Sequence, residues 1–297
     1  MEPTSSVSTP GVPTTTRSIT LTERVWLITG TNSGFGRAIA EAALAAGDRV
    51  VAAVRRPDTV RDLVENSPDN VRVVYLDITE QHSIDDAVAD VLAHEGRVDV
   101  LVNNAGRGLA GSAETTSDRE LRALMDLHFF GPAHLTRALL PSMRERGSGA
   151  IVQMSSQAGR YSFPGISGYS ATKFALEGWS EALAAEVQPH GTRVLVVEPG
   201  AFRTSFNRPG VLQFAENESD AYRDQVQPVL DALAGADGRQ PGDPTKAAQA
   251  IVSAVGGDTA PLRLALGSDA ADSIAASLDK ARSEIAEWDA VARGADF

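Results

Sequence analysis

The chain contains no cysteine. That absence removes disulfides, thiolate metal ligands and thiol catalysis together. Lysine is almost missing too: among 297 residues it occurs only at 173, 246 and 280. No Lys/Arg-rich run is present and the formal net charge is −12, which argues against a nucleic-acid partner. The five histidines (82, 94, 128, 134 and 190) never fall at His-x-x-x-His spacing, and no metal site is expected. No apolar run is long enough to span a bilayer, and the start of the chain has no apolar core of signal-peptide length. The expectation is a soluble, cytoplasmic protein with no membrane partner.

Hydrophobic residues make up 42% of the chain, ample for one large α/β domain. Residues 1–22 are rich in Ser, Thr and Pro and cannot bury enough apolar surface to offset their ordering entropy; a disordered tail is expected there. From residue 23 to 297, short apolar runs alternate with amphipathic stretches. Arg24–Thr29, Arg49–Val54, Val71–Leu76, Val98–Val102, Ala150–Met154, Arg193–Val197 and Pro261–Leu266 read as buried strands. Helical patterns cover Gly36–Ala46, Ser83–His94, Asp118–Arg146 (bent near Pro132), Ser170–Val187, Pro244–Val255 and Ser273–Val291. The alternation implies a single-domain, doubly wound parallel sheet of about seven strands, a Rossmann-type α/β fold. Residues 203–242 interrupt the rhythm after the sixth strand, where open α/β sheets bind ligands, and read as a substrate-covering segment.

Tyr169 and Lys173 stand four residues apart on a helical pattern, which puts both on one face. An ammonium beside a phenol stabilises the tyrosinate and tunes it as a general acid–base. Random placement of the chain's four Tyr and three Lys gives about 0.04 such pairs, so chance is a weak rival. Ser156 lies upstream at a strand end, and its interest comes from its spacing to Tyr169.

The first strand runs into Thr29-Gly-Thr-Asn-Ser-Gly-Phe-Gly36 and a helix follows. Gly30 permits the tight turn, Gly34 a close approach to a pyrophosphate, and Gly36 close helix–strand packing. Asn32, Ser33 and Phe35 complete this cofactor loop. The second strand ends Val54-Arg55-Arg56 with no acid to hold ribose hydroxyls. A missing carboxylate followed by a bidentate phosphate binder favours NADP(H), anchored by Arg55.

These residues, with Asp77 after the third strand, Asn103-Asn104-Ala105-Gly106 after the fourth, Ser156, Tyr169/Lys173, and Pro199-Gly200 with Thr204, resemble the short-chain dehydrogenase/reductase family over roughly residues 23–292. The resemblance implies that one domain binds cofactor and substrate. Asp77, with Ile78 beside it, would contact the adenine. Asn104, Ala105 and Gly106 would shape the cofactor floor. Pro199, Gly200 and Thr204 would flank the nicotinamide, with Phe202 in the same stretch. Ser156 would hydrogen-bond the substrate oxygen, Tyr169 would donate or remove its proton, and Lys173 would bind the nicotinamide ribose and lower the Tyr169 pKa. Relatives usually carry Asn at the position of His128. His128 is then either a substitute in the proton relay or a space-filling residue that satisfies a backbone group.

The activity this implies is NADP(H)-dependent interconversion of a ketone or aldehyde and its alcohol. Phe163, Ile166, Phe202 and Phe206 suggest a hydrophobic substrate. Two other readings use the same scaffold: a catalytically impaired, cofactor-binding regulatory protein, or a dehydration or epimerisation step. The resemblance also implies a homodimer or homotetramer, packed through the helices at 118–146 and 170–187.

Overall fold

The computed structural model describes residues 23–217, 219–257 and 259–297; the expected tail at 1–22 lies outside the described residues. Strand β1 (Val25–Thr29) is buried along its whole length. It pairs in parallel with β2 (Arg49–Val54) on one side and β4 (Val100–Asn103) on the other. With β3 (Val71–Tyr75), β6 (Gly149–Met154), β7 (Thr192–Pro199) and β9 (Arg263–Leu266) they form one seven-stranded parallel sheet, ordered β3-β2-β1-β4-β6-β7-β9. A separate two-stranded ribbon joins β5 (Gly108–Ala110) to β8 (Leu212–Phe214).

Both faces of the sheet are covered because its strands are apolar on both sides. Trp26, Ile28, Val50, Ala52 and Val102 point to one core with Ile39 and Ile251, from helices α1 (Gly34–Ala45) and α8 (Pro244–Gly256). A short helix, α2 (Arg61–Asn66), adds Leu63 to that side. Leu27, Val51, Leu101 and Ile151 point the other way. They meet Ile84, Leu135, Leu139 and Leu183 from α3 (Gln81–Glu95), α5 (Gly131–Arg146) and α6 (Ser167–Val187). Trp26 is fully buried because its indole N–H finds Asp48 Oδ2 at 2.8 Å.

All seven expected strands join the sheet, with ends shifted by up to two residues. The long helix expected over 118–146 is instead three pieces. Helix α4 (Asp118–Met125) starts from a Ser117–Glu120 capping box. It gives way to one π-helical turn (Asp126–Phe130) before α5 begins at Gly131. The irregularity therefore lies just ahead of Pro132, and His128 sits inside it. Residues 203–242 also hold more structure than expected: β8 and helix α7 (Arg223–Ala234), whose Pro228 obscures its pattern. The chain ends in α9 (Ser268–Glu287) and α10 (Asp289–Arg293). Among the described residues no helix is long and apolar enough to cross a membrane.

Sheet order reverses between β1 and β4, so the loops leaving these adjacent strands open a crevice at their C-terminal ends.

Candidate active site

The two loops at that crevice are stitched together by one hydroxyl. Thr29 Oγ1 accepts from the Asn104 and Ala105 backbone N–H groups, each at 2.9 Å. Asn104 Nδ2 answers by donating to the Thr29 carbonyl at 2.8 Å. Gly30 and Gly34 both adopt positive φ (73° and 57°), open to glycine without strain. A Cβ on Gly36 would overlap the Gly30 carbonyl and the Asn104 amide, so α1 lies against the loop backbone.

Ser33 caps α1 without a side-chain hydrogen bond to it, which leaves first-turn N–H groups free for an anion. Asn32 is exposed at the loop tip. This glycine cradle with free donors fits a dinucleotide pyrophosphate. Thr204 packs on Gly34, and Ser205 donates to Ser33 Oγ at 3.1 Å, so the start of the 203–242 segment lies over the same cradle. A groove of about 330 Å³ remains between Ser33, Gly34, Arg37, Arg203 and Thr204.

At the end of β2, Arg55 and Arg56 are exposed, and Arg55 makes no ion pair among the described residues. Arg37 is also nearby in α1, but its guanidinium is held by Glu41 at 2.6 Å and Asp62 at 2.5 Å. Asp77 Oδ1 accepts from the Thr79 N–H and hydroxyl, which shapes the turn after β3. Ile78 is buried where that turn meets Gly131. Pro199 closes β7 and Gly200 approaches Asp269 of α9, whose Oδ2 accepts from the Ala201 N–H at 2.7 Å. Phe202 is buried against Phe35, with ring centroids 5.0 Å apart, and abuts Gly242. Its ring braces the loop against α1 from inside the protein.

The second half of the site is carried by β6 and α6. After Met154 the chain turns through Ser155 and Ser156 into a 3₁₀ turn (Gln157–Gly159). Ser156 Oγ accepts from the Ala158 N–H at 3.1 Å, leaving its own proton to donate. Helix α6 presents Tyr169 and Lys173 on one face. The Lys173 ammonium is buried, donates to the Met154 carbonyl at 2.8 Å and lies 5.7 Å from the Tyr169 ring centroid. Burial pushes the Tyr169 phenol up to about 12, with the nearby Ser156 hydroxyl opposing. Burial pulls Lys173 down to about 8, with the Glu177 charge opposing. The lowering of the Tyr169 pKa expected from Lys173 is thus not a property of the protein alone: the ammonium here points at a carbonyl and the ring face.

His128 is buried edge-on to Tyr169, centroids 5.5 Å apart. Its Nε2 accepts from the Arg107 backbone N–H at 3.2 Å. That assigns the ring proton to Nδ1, which faces Thr172 Oγ1 at 2.9 Å; the Thr172 hydroxyl then donates to the Tyr169 carbonyl at 2.8 Å. Burial, then the charges of Lys173 and Arg107, hold the His128 pKa well below its ordinary value. Of the two sequence readings, this geometry matches the residue that satisfies a backbone group. Gly106 makes room for it, since a Cβ there would stand 3.0 Å from Nε2.

Of the aromatic and apolar residues expected to face substrate, Phe206 lies against Tyr169 at 5.8 Å between centroids. Ile166 is buried beside the ribbon, and Phe163 packs on Tyr161. A groove of about 590 Å³ runs between α4 and β8, reaching Arg107, Arg119, Asn207 and Leu212. Sequence reading missed Thr172, Glu177 and Asp269. Glu177 was readable from its position one helical turn beyond Lys173; Asp269 was not, because only the fold brings α9 to the end of β7.

The family profile described as short chain dehydrogenase matches residues 24–212. A 3-ketodihydrosphingosine reductase from Bacteroides thetaiotaomicron is 35% identical over 244 residues, covering 82% of this chain and 88% of that protein. A short-chain dehydrogenase structure from Streptomyces avermitilis is 54% identical with a TM-score of 0.88, covering 94% of this chain and all of that one. A serine dehydrogenase complexed with NADP+ superposes with a TM-score of 0.69 at 26% identity, covering 82% and 94% of the two chains. The dinucleotide cradle, the parallel sheet that builds it and these matches agree: the chain belongs to the short-chain dehydrogenase family of oxidoreductases.

Proposed function

We propose that the protein interconverts a hydrophobic ketone or aldehyde and the corresponding alcohol, using NADP(H). The observation that carries this reading is the convergence of Ser156, Tyr169 and Lys173 beside the Gly30–Gly36 cradle. NADPH, when bound, supplies the hydride. Gly30, Asn32, Ser33, Gly34 and Gly36 would hold its pyrophosphate, Asp77 and Ile78 its adenine, and Asn104 through Gly106 with Pro199, Gly200 and Thr204 its remaining length.

Reduction of a carbonyl builds negative charge on its oxygen. The Ser156 hydroxyl and the Tyr169 phenol are the donors for that oxygen, and donation there stabilises the transition state more than the ground state. Tyr169 yields its proton as the alcohol forms and takes it back in the reverse direction. A phenol at about 12 is protonated at neutral pH and so ready to donate.

NADP(H) over NAD(H) is supported by the exposed Arg55 guanidinium at the end of a strand without an acid. A hydrophobic substrate is supported by Phe206 against Tyr169. Assembly as a homodimer or homotetramer is supported by the exposed rings of Phe130 (56%) and Phe174 (46%) on the outer surfaces of the π-turn and α6. The test is NADPH consumption against a panel of hydrophobic ketones, run beside Tyr169→Phe. Tight NADPH binding with no turnover on any ketone would sink the activity.

A further inference from the structure

We propose that Glu177 is a positioning residue for the proton-transfer pair, its buried carboxylate serving as the counter-charge that keeps the Lys173 ammonium charged and fixed behind Tyr169. The inference rests on the Tyr169/Lys173 reading above.

Lys173 is 6% exposed and Glu177 4%, one turn apart on the same face of α6. An ammonium that deep needs a partner of opposite sign or it sheds its proton. The acceptor Lys173 does reach, the Met154 carbonyl, is neutral. The other groups around it do not supply the charge. His128, from the π-turn, is neutral, and Arg107, after β4, is a second cation. Arg160, after the Ser156 turn, is committed to Glu198 of β7 at 2.9 Å. Arg263 of β9 binds Glu177 at 3.0 Å, Glu181 at 2.8 Å and Glu198 at 3.5 Å.

The two oxygens of Glu177 are placed differently. Oε2 takes the Arg263 guanidinium, which orients the carboxylate. Oε1 is buried, and among the described residues neither it nor Ser155 Oγ has a hydrogen-bond partner. Glu177 and Lys173 form no direct ion pair among the described residues; the carboxylate acts on the ammonium through space, one helical turn away in the same buried face, and its charge raises the Lys173 pKa against the pull of burial. Burial raises the Glu177 pKa; the Ser155 hydroxyl, near the carboxylate but not aligned as a hydrogen bond, and the Arg263 guanidinium oppose it, while the Glu198 charge adds to it.

The Ser156 turn rests directly on this pair. A Cβ on Gly159 would stand 2.7 Å from Ser155 Oγ, 3.0 Å from Glu177 Cγ and 3.3 Å from Lys173 Cβ. One small residue thus lets the loop bearing Ser156, the lysine and its counter-charge share a single contact. If Glu177 lost its charge, Lys173, Arg263 and Arg160 would face Glu198 and the surface Glu181 alone, and Lys173, the most buried cation, would be the one to give up a proton.

The chain's three lysines make the test direct. With lysine labelled by ¹³C at Cε, Lys173, Lys246 and Lys280 give three NMR signals, and the titration of Lys173 is followed in the free protein without any substrate. Glu177→Gln is expected to lower its midpoint by about one pH unit, a tenfold loss of proton affinity. Glu177→Asp, which keeps the charge with a shorter reach, is expected to shift it less and in the same direction. A Lys173 midpoint unmoved in whichever of these variants keeps the wild-type thermal midpoint overturns the proposal. On a reducible ketone, Glu177→Gln is further expected to displace the pH–rate profile; a uniform fall in kcat at every pH also overturns it. Absence of turnover in the unmodified enzyme instead counts against the activity and leaves the NMR result standing.

Discussion

The backbone N–H of Arg107 donates to Nε2 of His128 at 3.2 Å, and the other ring nitrogen is taken by Thr172. Both nitrogens of the imidazole are therefore spoken for by the protein. The ring acts as a strut between the loop after β4 and the first turns of α6, and its edge supports Tyr169.

The first expectation concerns acid stability. The folded His128 pKa lies well below its unfolded value of 6.5 because burial, Lys173 and Arg107 all disfavour the cation. Below pH 6.5 the unfolded chain gains a proton that the native state refuses. The contribution is therefore present above that pH and is lost as pH falls toward the folded pKa, at a slope of up to about 1.4 kcal/mol per pH unit. Urea unfolding between pH 7 and 5 should show a steeper loss for the unmodified protein than for His128→Asn. Equal slopes would mean that the ring protonates in the folded state.

The same His128→Asn protein addresses the relay. With both ring nitrogens committed, its pH–rate profile for ketone reduction should match that of the unmodified enzyme. A displaced limb would restore a proton-shuttling role to the imidazole.

Tyr169→Phe removes the proton donor and leaves the ring that packs on His128 and Phe206. Turnover should fall by about 10²–10⁴-fold, the usual worth of a general acid, while NADPH binding followed by fluorescence changes little. A tenfold loss or less would move the acid role to another group.

Arg55→Asp should weaken NADPH binding by about 10–100-fold, the worth of a charge-assisted hydrogen bond of roughly 1.5–3 kcal/mol. NADH binding should be nearly unaffected. Parallel losses for both cofactors, measured by titration calorimetry, would remove the 2′-phosphate assignment.

Gly36→Ala asks α1 to withdraw from the Gly30 carbonyl, which a Cβ would overlap. A destabilisation of about 1–3 kcal/mol is expected from that overpacking, together with weaker binding of either nicotinamide cofactor. Unchanged affinity would show that the cradle tolerates a wider gap.

The central strands were legible because they are short apolar runs buried on both faces, and such runs stand out against amphipathic helices; the edge strands β3 and β9 are only partly buried and carry a weaker form of the same signal. The helices around Tyr169 and after Gly34 were legible for the same reason of pattern. What escaped was local irregularity. Three-residue strands such as β5 and β8 have no measurable period, α7 hides behind Pro228, and a π-turn differs from an α-helix by a single extra residue. In the site, spacing along one helix gave Tyr169, Lys173 and, had it been read one turn further, Glu177. Residues united only by sheet order could not be seen as neighbours: Arg263 and Glu198 meet Glu177 because β9 lies beside β7. Phe202, counted by sequence among cofactor contacts, turns inward because Phe35 and Gly242 offer it an apolar seat.

Asp269 reaches across 68 positions of sequence to hold the amide that follows Gly200. The family profile ends at residue 212, so this brace comes from a stretch of chain beyond it. The floor expected beneath the nicotinamide is therefore braced from two distant places in the chain: the loop after β7, and a helix near its end that lies beyond the matched profile. Exchanging α9 between relatives would then alter how firmly the reactive end of the cofactor is seated while leaving every motif residue in place.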